Sequence, residues 1–145
     1  VINLPGHTRC CVGYYMESEG LLLSSETLGV YDGDKTIVPS YLVSYAETIS
    51  SIEKIEKLNI KSVVSPHFGL LNQAQTEYFL KNMKSAAQNE AKDILDSIRN
   101  GLSDEEIAEQ FKAKYWHGYI KEIYPEDAIA LNTSIMIHLI RNEVL

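Results

Sequence analysis

The chain has little of what marks secreted, membrane-spanning or nucleic-acid-binding proteins. Its two cysteines, Cys10 and Cys11, are adjacent and therefore make a poor pair for a structural disulfide. Its apolar runs fall well short of the roughly 20 residues that a membrane-spanning helix needs. Lysine and arginine number 13 against 20 acidic residues, and the net charge of −7 disfavours nucleic acid or an anionic membrane as a partner. We therefore expect a cytoplasmic protein that binds neither nucleic acid nor membrane.

What is present is a globular composition that changes character halfway along the chain. The 145 residues are 45% hydrophobic and 23% charged, the mixture of a single folded unit. Residues 1–72 alternate between strand-like and helix-like patterns, whereas residues 73–145 are helix-like throughout. We expect two regions that meet at residues 72 and 73.

The first region predicts an α/β layer. Residues 11–16 are β-branched and aromatic, a turn follows, and the leucines at 21–23 predict a strand that is buried on both faces. A helix is predicted from about Pro39 to Leu58, with apolar residues every three or four positions. Residues 60–64 then predict a strand that returns to the sheet across that helix.

The second region predicts three helices. An apolar stripe runs over residues 74–99 and ends at Asn100-Gly101, and a capping box at Ser103 and Glu106 opens a helix that reaches about Lys114. Residues 127–142 predict a third helix that is apolar on most sides. That helix is either packed among the others or forms a dimer contact.

Two of the four histidines fit a structural role. His138 lies in an apolar helical run, and His117 lies in an aromatic cluster at a helix end. The adjacent cysteines are expected to be small buried residues.

The other two histidines lie in a different setting. His7 is in a Pro/Gly turn at residues 4–8, and His67 is in another at residues 65–69, each at a strand boundary. Glu26 ends the apolar strand between them, where a carboxylate needs a cation or a donor. Two imidazoles and one carboxylate on strand-end loops suit zinc, iron or manganese, so we predict a metal site.

These elements together resemble a known family. Pro-Gly-His-Thr at 5–8, Ser-Ser-Glu-Thr at 24–27 and Val-Val-Ser-Pro-His-Phe-Gly at 63–69 occur in the order and strand settings of the C-terminal half of the metallo-β-lactamase superfamily. The resemblance covers residues 1–72. It implies the C-terminal half of an αββα sandwich, here followed by an α-helical extension as in glyoxalase II-like relatives. In those relatives the helical segment helps to build the substrate pocket, so the resemblance makes Tyr115, Trp116 and Tyr119 candidates for binding a substrate by analogy alone.

The resemblance also implies a role for each candidate ligand. His7 corresponds to a ligand of a first metal ion, His67 to a ligand of a second, and Glu26 to the acid that bridges them. The intact protein would then be a binuclear hydrolase, with zinc the first choice of metal and iron or manganese the alternatives. It would hydrolyse an ester, thioester, lactone or related acyl bond of a small molecule through a metal-bound hydroxide.

Three departures limit what this chain can do alone. The bridging residue is Glu26 where the family usually has Asp, and the last turn is Pro-His-Phe-Gly where the family usually has Gly-His-Gly. The His-x-His-x-Asp-His motif, which supplies the remaining ligands, does not occur in this sequence. We therefore expect a fragment of a longer protein that is inactive alone, holds metal weakly or not at all, and self-associates through an exposed sheet edge or forms a homo-oligomer.

Two other functions stay open at this point. A non-catalytic, metal-free half-domain would serve as a binding or scaffold module. A flavodiiron-type oxidoreductase would also use carboxylate ligands, although it normally carries a flavodoxin domain.

Overall fold

The strands lie in the first half of the chain and most of the helices in the second. The computed structural model describes residues 1–144, so that Leu145, the end of the predicted helical region, lies outside it. The strands are β1 Ile2–Asn3, β2 Val12–Met16, β3 Leu21–Leu23, β4 Val30–Tyr31, β5 Ile37–Val38, β6 Ser62–Ser65 and β7 Gly69–Leu70. The helices are α1 Tyr45–Ile55, α2 Gln73–Arg99, α3 Asp104–Tyr115, α4 Gly118–Ile123 and α5 Glu126–Glu143.

The main sheet has five strands in the order β1-β2-β3-β6-β7. Neighbours are antiparallel except β3 and β6, which run parallel with Leu22 opposite Val63. A parallel pair needs a crossover connection, and α1 lies within it. The predicted hairpin and the predicted return across a helix are therefore confirmed, and so is the α/β class.

One face of this sheet is covered and the other is open. Leu22 and Val63 are fully buried against side chains of α1 and α2, including Ile52 and Phe79. The opposite face presents Tyr14, Met16 and Leu70, whose exposed fractions are 51%, 44% and 68%. The prediction that residues 21–23 are buried on both faces is wrong, because Leu21 and Leu23 point to this open side and are only half-buried.

The first helix begins later than its apolar pattern suggests. The prediction places its start near Pro39, whereas α1 begins at Tyr45 with the Ser44 side chain accepting a hydrogen bond from the Glu47 amide. The amides of residues 42–44 instead donate to the carbonyl of Gly6, at 3.1, 2.8 and 3.3 Å. This segment is not helical because its amides hold the turn that carries His7.

A second apolar cluster lies in the helical region, and α2 connects it to the apolar cluster under the sheet. The first half of α2 contributes Phe79 and Met83 to the cluster under the sheet. Its second half contributes Ile94 to a cluster with α3, α4 and α5. The capping boxes at Asn72 and Ser103 fix the starts of α2 and α3, as predicted for the latter. The three predicted helices are confirmed, and α5 packs among α1, α2 and α3.

Several short elements carry no clear sequence signal. These are β7, the β4–β5 ribbon, α4 and a 3-10 helix at Glu26–Leu28. The expectation that both cysteines are buried is wrong: Cys10 is exposed and Cys11 half-buried, because they lie in the surface turn that precedes β2, and both are free. Within residues 1–144, none of the helices is long and apolar enough to cross a membrane.

Candidate metal site at the sheet edge

The turn that carries His7 is clamped against the start of α1. Gly6 has φ +139°, and a Cβ at this position would lie 2.1 Å from the Thr48 hydroxyl oxygen. The Ser51 hydroxyl donates to the carbonyl of Pro5 at 2.8 Å. Only glycine lets the backbone approach α1 this closely, so the Pro-Gly-His sequence fixes the backbone position from which the His7 side chain extends.

Contacts at Nδ1 set the orientation of the His7 ring. Its Nδ1 lies 2.9 Å from the Ser40 carbonyl oxygen and 2.9 Å from the Ser40 hydroxyl. A carbonyl oxygen only accepts, so Nδ1 is the donor in that bond and Nε2 faces forward. Nε2 lies 3.4 Å from Glu26 Oε2. A histidine that donates one ring nitrogen to a carbonyl while presenting the other is oriented as metal-binding histidines commonly are.

Glu26 stands at the centre of the site. It opens the 3-10 helix that follows β3, which turns its side chain towards both imidazoles. Its Oε1 lies 2.9 Å from His67 Nε2, and its Oε2 accepts a hydrogen bond of 3.0 Å from the Tyr124 hydroxyl. Burial acts to raise the pKa of the Glu26 carboxyl, but the contacts with His67, His7 and Tyr124 outweigh it and hold that pKa below its ordinary value.

His67 reaches the carboxylate from a strained turn between β6 and β7. Its φ is +64°, the left-handed region that residues other than glycine seldom occupy. The Phe68 amide donates to the Ser65 carbonyl across this turn at 3.3 Å, and the Tyr119 hydroxyl donates to the carbonyl of His67 itself. Unusual backbone conformations of this kind persist where neighbouring contacts hold them.

The three predicted ligands therefore meet, with one imidazole on each oxygen of one carboxylate. Two ligands at ordinary zinc distances on a tetrahedral ion are about 3.3–3.5 Å apart. The contact between His7 and Glu26 has this separation, whereas the contact between His67 and Glu26 is that of a direct hydrogen bond. The donor types and the orientation of the His7 ring fit a divalent cation on the His7 side.

The set is nevertheless incomplete as a metal centre. No group of three or more His, Cys, Asp or Glu side chains in residues 1–144 is arranged to enclose an ion. Each imidazole faces its own carboxylate oxygen rather than a common point. Stable zinc sites use four ligands, or three and a water, so these residues fit part of a site and not a whole one.

The aromatic candidates divide between two places. Tyr119 lies at the site, with its ring 5.5 Å from that of Phe68 in an edge-on contact. Trp116 is one step removed, and its Nε1 donates to the carbonyl of Tyr124 at 2.9 Å. Tyr115 is buried in the helical cluster, where its hydroxyl donates to Glu90 at 2.7 Å. A substrate-binding role for the three stays a prediction.

Tyr124 is the site residue that sequence reasoning missed. Its ring centroid lies 5.6 Å from that of His67, and its hydroxyl bonds Glu26 across 98 positions of sequence. Burial, followed by the negative charge of Glu26, raises the pKa of Tyr124, so its hydroxyl remains a proton donor. The only available signal was its position at the end of the aromatic run that begins at Tyr115.

The other two histidines lie elsewhere. His117 Nε2 is 3.0 Å from the carbonyl of Lys114, and His138 Nε2 is 2.9 Å from the side-chain amide of Asn142. Both are exposed, each paired with a neighbour in sequence. They are therefore suitable internal controls for the two histidines of the site.

Comparison with known proteins identifies the fold. A scan against models of protein families finds no match, and a search of curated proteins finds none either. The chain is similar to the crystal structure of a metallo-beta-lactamase family protein from Thermus thermophilus, with a TM-score of 0.65 and 16% sequence identity. The match covers 97% of this chain and 43% of the other, so this chain spans less than half the length of the structure it matches.

Proposed function

We propose that this chain, which has the fold of part of a metallo-β-lactamase family protein, supplies half the ligands of a binuclear metallohydrolase. The observation that supports this most strongly is the Glu26 carboxylate, which carries His7 on one oxygen and His67 on the other. A carboxylate held between two imidazoles in this way is suited to bridge two cations. Zinc is the first choice because it accepts both imidazole and carboxylate, and iron or manganese are the alternatives.

The chemistry of the proposal is the hydrolysis of an acyl bond in a small molecule, such as an ester, thioester or lactone. Divalent cations held here would polarise the acyl carbonyl and lower the pKa of the attacking water. The residues of this chain perform the positioning. Ser40 fixes the ring of His7, and Tyr124 and His67 fix the two oxygens of Glu26. Tyr119 lies beside His67 and is proposed to contact the substrate.

The remaining ligands are proposed to come from residues outside this sequence. The open face of the sheet supports this, because Tyr14, Met16 and Leu70 leave an apolar surface that a further layer would cover. A longer protein would place that layer there. The chain alone is proposed to cover the face by self-association. The two free cysteines favour a reducing compartment such as the cytoplasm.

The test is the metal content of protein made from the complete reading frame. We expect bound divalent metal together with hydrolysis of an ester, thioester or lactone from a substrate panel. Glu26→Ala and His67→Ala should each lower the metal content and abolish turnover, while His138→Ala, a change at an exposed histidine outside the site, should leave both unchanged. Undiminished metal content in both ligand variants would overturn the proposal.

A second candidate function rests on how well the site is satisfied without metal. Both oxygens of Glu26 already have partners within the chain. The same contacts are therefore also suited to a structural role in a non-catalytic binding or scaffold domain. This function predicts a metal-free intact protein that does not hydrolyse acyl bonds. The metal measurement above therefore separates the two.

A further inference from the structure

The two adjacent cysteines have no part in the candidate metal site, and they lie together in the surface turn that precedes β2. Cys10 is exposed and Cys11 half-buried, and both are free thiols. Adjacent side chains on an extended strand point to opposite faces, which would keep two such sulfur atoms apart. Here the Thr8 hydroxyl donates to Cys11 Sγ at 3.0 Å and lies 3.6 Å from Cys10 Sγ. Both sulfur atoms therefore lie on the same side of the turn, within reach of one oxygen atom.

A disulfide between these two cysteines would be strained. The peptide bond that joins Cys10 to Cys11 is trans, and neighbouring Cα atoms across a trans bond are about 3.8 Å apart. The Cα atoms of disulfides are usually about 4.4–6.8 Å apart, and departures from this geometry make the bond easier to reduce. Strained and exposed disulfides are the labile and regulatory ones, and disulfides in reducing compartments are usually transient. The pair is therefore suited to a reversible disulfide and not to a structural one.

The same turn carries His7. The Leu4 amide donates to the carbonyl of Cys11 at 2.9 Å, and this bond closes the turn at its base. Within the turn the Gly6 amide donates to the Thr8 carbonyl at 3.3 Å, so that the backbone is fixed on both sides of His7. A disulfide between the cysteines would change the backbone next to the bond at the base, because the spacing of their Cα atoms is too short for an unstrained bridge. The change would reach His7 through the turn.

We propose that Cys10 and Cys11 form a redox-sensitive pair, whose reversible oxidation by a low-molecular-weight disulfide of the glutathione type displaces His7. The sulfur of the exposed Cys10 attacks one sulfur of the small disulfide, which leaves a mixed disulfide and releases one thiol. The sulfur of Cys11 then attacks the sulfur of Cys10 and expels the second thiol. In total the two protein thiols lose two protons and two electrons, and the two sulfur atoms of the small disulfide gain them.

The exchange of thiol and disulfide is independent of the proposed function, whereas its regulatory consequence rests on it, because His7 is a proposed metal ligand. Oxidation would displace one ligand of the intact metal site and lower its activity. The metal content of protein made from the complete reading frame tests the proposed function. The thiols and the His7 ring of this chain test the present inference, so the two failures are distinguishable.

The experiment treats the purified 145-residue chain with oxidised glutathione at low protein concentration. Intact mass and a thiol assay follow the cysteines, and NMR follows the ring of His7 with the exposed ring of His138 as an internal reference. Cys11→Ser is the matched control, because it keeps the exposed Cys10, which can take up glutathione but cannot close an internal bond. Excess reduced glutathione is then added to test reversal.

We expect the unmodified chain to lose both free thiols and the mass of two hydrogen atoms, and the ring resonances of His7 to shift while those of His138 stay in place. Reduced glutathione should restore the thiols and the resonances. Cys11→Ser should gain one glutathione and leave His7 unshifted. A stable glutathione adduct or a disulfide-linked dimer in place of the internal bond would overturn the inference. So would an internal bond that leaves His7 unshifted or resists reduced glutathione, or an equal shift of His7 in the Cys11→Ser adduct.

Discussion

Replacing Glu26 by glutamine isolates the negative charge at the centre of the site. Glutamine has nearly the same size, but it presents one acceptor oxygen where the carboxylate presents two to His67 and Tyr124. Hydrogen bonds to a charged partner contribute about 1.5–3 kcal/mol each and neutral ones about 0.5–1.5 kcal/mol. The side chain is 25% exposed, so water compensates in part for what is lost. We expect the free energy of unfolding of the metal-free chain to fall by about 2 kcal/mol, near the lower end of the range of about 1.5–3 kcal/mol for one hydrogen bond to a charged partner.

This loss has a defined dependence on pH. The pKa of Glu26 is lower in the folded chain than its ordinary value of 4.5, so its charged form stabilises the fold above that value. As the pH falls through the folded pKa the carboxylate is protonated and the contribution disappears. The difference between the chain and its Glu26→Gln variant should therefore be present above pH 4.5 and shrink below it.

The assay is urea denaturation followed by circular dichroism, with a chelator present, at pH 7 and at pH 4. For a chain of this length the loss at neutral pH corresponds to roughly 4–8 °C in the thermal midpoint. Glu17→Gln, in the turn between β2 and β3, is the matched control and should change stability little. A difference for Glu26→Gln that is below about 0.5 kcal/mol at pH 7, or that is the same at both pH values, would refute the reasoning.

Three further predictions concern the surroundings of the site. Gly6→Ala places a Cβ 2.1 Å from a side-chain oxygen of α1. We expect the free energy of unfolding to fall by about 2 kcal/mol or more and the ring resonances of His7 to shift. Unchanged stability would contradict this expectation. Lys114→Met leaves the carboxylate of Glu90, whose side chain is 4% exposed, without its cation at 2.6 Å, and should lower the thermal midpoint by several degrees. In light scattering, Leu70→Lys on the open sheet face should reduce self-association, whereas Leu131→Lys, at a similarly exposed leucine on α5, should not; equal effects would exclude the sheet face as the contact.

The sequence was sufficient where local patterns carry the information. The leucines of β3 and the capping box at Ser103 identify a strand and a helix start, and the crossover by α1 follows from their order. It misplaced the start of α1, because the amides of residues 42–44 bond to Gly6, which is remote in sequence. It misjudged the burial of Leu21 and Leu23, because periodicity does not say which face of a sheet is covered.

For the candidate site, too, the sequence identified most of the residues but not their arrangement. His7, Glu26 and His67 could be selected because Pro, Gly and strand ends mark their turns. Their distances, and the distribution of two imidazoles over two oxygens, depend on tertiary packing. Tyr124 could not be placed from sequence, since its hydroxyl reaches Glu26 only through the path of the chain along α4.

His7, Glu26 and His67 are proposed to bind divalent cations together. The most direct measurement is an NMR titration with Mn²⁺, whose unpaired electrons broaden nearby resonances, of isotopically labelled protein made from the complete reading frame. We expect the resonances of the His7 and His67 rings and of the Glu26 carboxyl to broaden first, while those of the exposed rings of His117 and His138 remain sharp. Broadening that begins at His117 or His138, or that leaves all three site residues sharp at millimolar metal, would contradict it.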